Sequence, residues 1–128
     1  MRALVEIAIG ELVDKLTILE IKLERLTDKV QLRNVKVEHD ILMRAYIEQV
    51  GDNPRVKALA FELKEINQGL WVIEDDIRDC ERNKDFGEKF VALARSVYRT
   101  NDARSQVKRR INDLVDSNII EEKSYAAY

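Results

Sequence analysis

The chain predicts an all-α fold, on three observations. Apolar residues recur at alternating spacings of three and four, the period of a helix seam. Only four Gly and one Pro interrupt 128 residues, too few for the turns of a loop-rich β protein. The composition, 45% hydrophobic and 36% charged, suits a globular chain that buries a core without disulfide or metal staples. The expected architecture is one domain, residues 1–128, built as an antiparallel helical bundle of about five helices with one long helical hairpin.

The elements follow in order. Residues 1–8 hold a short, partly alternating apolar stretch, Ala3 to Ile7, read as an extended arm or one small strand. A lone strand needs a partner, so it either pairs across a dimer or has no regular structure. The first helix is expected from about Ile9 to Leu26, on a seam of Ile9, Leu12, Leu16, Leu19, Leu23 and Leu26. Val13, Ile18 and Ile21 widen that seam to a bundle face. Glu11 and Asp14 lie in the first turns, where carboxylates complement the helix dipole. Thr27-Asp28 supplies a break and a new N-cap. The second helix covers Lys29 to Val50 and carries the single histidine, His39, read as structural rather than catalytic. Gly51-Asp52-Asn53-Pro54 stops it and starts the next helix.

The third helix has the clearest signal. Val56, Leu59, Leu63, Ile66, Leu70, Ile73, Ile77 and Cys80 recur without a gap. They imply roughly 25 residues, or about 40 Å of helix. A helix of that length implies a long antiparallel hairpin or a coiled-coil contact with another subunit, so self-association is expected. Gly69 beside Trp71 reads as a point of close packing, and Cys80 as core. The polar run Arg82 to Asp85 is a connection. A fourth helix is expected from about Phe86 to Arg99. Thr100-Asn101-Asp102 interrupts the apolar phase, and a fifth helix, Ala103 to Val115, starts from a Thr100 or Asn101 cap. The tail, residues 119–128, holds Ile119, Ile120, Tyr125 and Tyr128, which predicts docking on the bundle or on a neighbour.

The net charge of −2 makes bulk polyanion binding a poor expectation. The charges are nevertheless segregated. Seven acids face two bases between Glu62 and Glu81, and six bases face one acid between Arg95 and Arg110. These segments can pair within one fold or between subunits. No apolar run reaches the ~20 residues of a membrane span, the first residues do not resemble a signal peptide, and a lone cysteine suits a reducing compartment. A cytoplasmic protein without a membrane partner is the expectation.

The basic segment is the main candidate site. Arg95 and Arg99 share a helix face, as do Arg104 and Lys108. A helix start between them would add free N–H groups and a positive dipole end. Arginine forks recognise carboxylate or phosphate, and Tyr98 adds a flat face and a hydroxyl. The competing reading is a capped turn whose arginines pair with the acids of the third helix. A second candidate is carboxylate density. Glu11 and Asp14, facing Asp75, Asp76 and Asp79, would resemble the magnesium sites of all-α nucleotide hydrolases. One His and one Cys cannot make a zinc site, and no nucleophile triad or Gly-rich phosphate loop is present. The run Arg104 to Arg110 lacks interleaved aromatics and a nucleic-acid motif, so a nucleic-acid partner is disfavoured.

Four blocks carry a resemblance: Ile9 to Lys22, Leu70 to Arg78, Ala94 to Asp102, and Glu121 to Tyr125. Together they resemble DUF6165, a family of small proteins of bacteria and their viruses with no established activity. The resemblance implies a fold and a set of positions rather than a reaction. Its blocks are rich in polar side chains that a bundle alone does not require: Lys15, Thr17, Trp71, Arg78, Arg95, Tyr98, Asn101, Asp102, Lys123 and Tyr125. Ala8 stands where a capping Ser is expected. The resulting expectation is a non-enzymatic protein that binds or sequesters a small anionic, nucleotide-like ligand. Its residues are Arg95, Tyr98, Arg99, Asn101, Asp102, Arg104 and Lys108, helped by Trp71, Arg78, Lys123 and Tyr125, with no cofactor. The alternatives are a structural interaction module and a magnesium-dependent hydrolase.

Overall fold

The computed structural model describes residues 1–128. It is all-α, with four helices and no strand: α1 (Ile9–Arg25), α2 (Lys29–Gln49), α3 (Pro54–Arg82) and α4 (Glu88–Leu114). The helix count is one fewer than the sequence predicts, because the fourth and fifth expected helices are a single one. No Gly or Pro falls within α4, so Thr100, Asn101 and Asp102 have no means of breaking it. The apolar phase lapses there for another reason. Arg104, Lys108 and Asn112, at helical spacing, take the positions that meet α1, and they meet polar groups.

Local chemistry explains the other boundaries. Asp28 caps α2 by accepting from the Gln31 N–H at 2.9 Å. Gly51, with φ of 66°, ends α2 in the left-handed region. The Asn53 carboxamide accepts from the N–H groups of Arg55 and Val56, and Pro54 opens α3. The start of α1 differs, since Ala8 offers no side-chain cap. Here the cap is tertiary. The Ile9 N–H donates to Ser117 Oγ at 3.2 Å, and the Gly10 N–H donates to the buried Asn112 Oδ1 at 2.7 Å. Gly10 is required by this approach, because a Cβ there would fall on the carbonyl oxygen of Lys108.

α2 lies along α1; α1 also meets α3 and α4, which lie along each other. Glu62, in the first part of α3, reaches Arg110, near the end of α4, at 3.1 Å. The buried core gathers where all four helices contribute: Leu12, Val13 and Leu16 from α1, Tyr46 from α2, Val56, Leu59 and Leu63 from α3, and Val107 and Ile111 from α4. Beyond Asn67 the α3 seam changes character, and Leu70, Ile73 and Ile77 are only half-buried. Gly69 is not a close-packing point, since nothing lies within 4 Å of where its Cβ would be. No helix is long and apolar enough to cross a membrane.

Candidate functional site

α4 carries two polar layers on its last four turns, one toward α1 and one toward the tail. In the inner layer, Asp14 is fully buried. Arg104 grips it with a two-pronged contact, Nε donating to Oδ1 at 2.9 Å and Nη2 donating to Oδ2. Asn67 Nδ2 donates to the same carboxylate at 2.9 Å and to Thr17 Oγ1 at 3.0 Å, while the Thr17 hydroxyl donates to the Asp14 carbonyl. Every buried polar side-chain atom is satisfied. The Asp14 hydrogen bonds hold the Arg104 guanidinium above its ordinary pKa range. One turn along, Lys108 donates to Glu11 and lies 3.4 Å from Glu121 of the tail. Burial pushes the Lys108 ammonium down, but Glu11, with Asp14 and Glu121 beyond it, outweighs that and holds it above its ordinary range.

In the outer layer, residues 119–128 return along α4. Arg109 meets Glu122 at 3.1 Å, and Lys123 donates to Asp102. The Tyr128 ring stands edge-on to Tyr98, with centroids 5.1 Å apart. The Lys123 ammonium and the Tyr128 hydroxyl hold the Asp102 carboxyl below the usual carboxylate range. Between α4 and the tail lies a hollow of about 1030 Å³. Seven of the expected site residues line it: Tyr98, Asn101, Asp102, Arg104, Lys108, Lys123 and Tyr125. Arg109, Glu121, Glu122 and Tyr128 line it too, and the sequence reading of the site did not include them.

Four expected residues stand elsewhere. Trp71 receives the Arg25 guanidinium 5.9 Å from its ring centroid, and Arg78 pairs with Glu74 on its own helix at 2.8 Å. Arg95 and Arg99 are exposed on the first half of α4 and do not line the hollow. The helix start expected between the two arginine pairs does not exist, so no dipole end serves the site. The carboxylate reading is also corrected. Asp14 and Glu11 are taken up by Arg104 and Lys108, and no group of three or more His, Cys, Asp or Glu residues assembles with Asp75, Asp76 or Asp79.

Asn67, Thr17 and Asn112 form buried polar contacts that the apolar seam concealed. Thr17 had a signal in the first resemblance block, whereas Asn67 and Asn112 had only their polarity beside seam positions. Glu121 and Glu122 had a signal in the fourth resemblance block, but nothing indicated that they would meet Lys108 and Arg109.

Fold and site together define an all-α protein whose last helix and C-terminal segment flank an open hollow of mixed polar and aromatic lining. A family model described as "Family of unknown function (DUF6165)" matches residues 3–128, and the chain belongs to that family. No match to it is found among curated proteins or among solved structures.

Proposed function

We propose that this protein is a binding module that takes a small, planar, anionic ligand of nucleotide-like chemistry into the α4–tail hollow and so sequesters it. The observation that carries this reading is the meeting of Tyr98, Tyr125 and Tyr128 with Arg109 and Lys123 in one hollow. Tyrosine rings offer flat apolar faces, and bases offer charge-assisted hydrogen bonds to phosphate or carboxylate. The hollow's bases now hold carboxylates of the chain itself: Glu121 and Glu122 on Lys108 and Arg109, and Asp102 on Lys123. An anionic ligand would exchange with these carboxylates, and the tail would close over it. Arg104 keeps Asp14 as its partner and serves as the floor of the site. On this reading α3 and α4 form a long antiparallel hairpin that holds the site rigid, and the compartment is a reducing cytoplasm.

Thermal melts with mono-, di- and cyclic nucleotides test the reading. A ligand present at about 100 times its Kd stabilises by about 2.7 kcal/mol, a shift of several degrees for a domain of this size. The shift should vanish in Tyr98→Ala and Arg109→Ala, both at exposed side chains. Arg104→Ala is a poor probe, because it strips Asp14 of its partner. No shift with any nucleotide or phosphate ester overturns the proposal.

A further inference from the structure

The long repeat of α3 is served unequally along its length. Its first half is sealed: Val56 and Leu63 are 0% exposed, and Leu59 is 9% exposed. The same apolar series continues through Leu70, Ile73 and Ile77, which are half-buried and outside the main core cluster, and closes on Cys80, which is buried near the end of α3. Across from them, Phe90, Leu93 and Val97 of α4 are half-buried as well. Phe86 and Val91 are 52% and 51% exposed. α1 accounts for the difference. It packs against α3 and α4 through Asp14, Asn67, Arg104 and Asn112, and its last turn reaches only as far as Trp71. Between Trp71 and Cys80 the two helices have only each other, so that stretch of their shared seam is open on one side.

The charge of the open half says what covers it, because that half is self-complementary. On α3, Asp75, Asp76 and Glu81 make no ion pair within the chain. On α4, Arg95 and Arg99 make none either. A two-fold axis through the open seam lays the acidic α3 half of one copy over the basic α4 half of the other.

We propose that the distal half of the α3–α4 pair is the contact surface for a second copy of this chain, the two pairs closing into a four-helix seam. The contact shares Val97 with the lining of the α4–tail hollow, whose other residues run from Tyr98 onward. Sedimentation velocity and light scattering of the full chain at micromolar to millimolar concentration test it. The expected mass is twice the 14.9 kDa of the chain. Phe86→Glu combined with Val91→Glu places two carboxylates in the seam at side chains that are half-exposed in one copy, so folding survives. The pair should weaken self-association by about 100-fold or more, with the far-UV circular dichroism unchanged. Phe61→Glu, at a side chain 67% exposed on the first half of α3, should leave self-association intact. A chain that stays monomeric at millimolar concentration overturns the proposal. So does a dimer that survives the double substitution or is broken by Phe61→Glu.

Discussion

Asp14 shows how a residue's role depends on its partner. From the sequence it is a carboxylate in the first turns of a helix, suited to the helix dipole or to a metal. In the fold it is 0% exposed and is held by Arg104, 90 residues away, together with Asn67. Removing one partner of a buried pair leaves an uncompensated charge, which costs about 3–5 kcal/mol, well above the worth of an exposed pair. Arg104→Met should therefore lower unfolding free energy by about that amount, read from the urea midpoint. Arg109→Met, which breaks exposed pairs with Glu122 and Asp113, should change it by less than about 1 kcal/mol. Equal effects from the two substitutions would contradict the account of Asp14. Nothing in a single chain of letters pairs residue 14 with residue 104, whereas the acid itself and its place in the first helix were legible.

Helix ends follow the local signals closely. Asp28, Gly51 and Asn53-Pro54 punctuate the chain where the structure does, because a cap or a stop acts on the few residues around it. α4 is the exception, and its reason is tertiary. The lapse in apolar phase at Thr100-Asn101-Asp102 looked like an end but marks where a helix face turns from apolar to polar contacts with α1. Gly69 makes the same point within α3. It sits mid-helix with open space around its Cβ position, so no packing need keeps a glycine there. Gly69→Ala should stabilise the chain by about 0.5–1 kcal/mol, raising the thermal midpoint by a few degrees. A loss of stability would mean that something packs on that point.

Across the whole molecule, the tail depends on ionised groups. The Asp102 carboxyl titrates below its ordinary 3.8 when Lys123 and Tyr128 are docked. Its contribution to tail docking is therefore complete above that ordinary value and is lost as pH falls through the lowered one. The Tyr128 hydroxyl, hydrogen-bonded to Asp102, titrates above its ordinary 10.0, so its contribution is complete below that value and is lost as pH rises through the raised one. The docked tail should persist between these limits. Tyr128 side-chain NMR signals should shift in a single acid step, below the range of an unperturbed Asp. Asp102→Asn should abolish that step, and an acid step that survives the substitution would assign the docking to other groups.

By itself, the sequence determined an all-α chain, three of its four helices to within a few residues, and the family. The fold class and helix bounds rest on periodicity and caps, which act over a few residues along the chain, and the family rests on the residues matched along residues 3–128. Only the tertiary structure decided that α4 is continuous, that Asp14 and Arg104 form one buried pair, and that Arg95 and Arg99 stand apart from Arg104 and Lys108. Those outcomes rest on contacts between residues some 90 or more apart in the chain, and on burial, which turns a surface charge into one that must be paired.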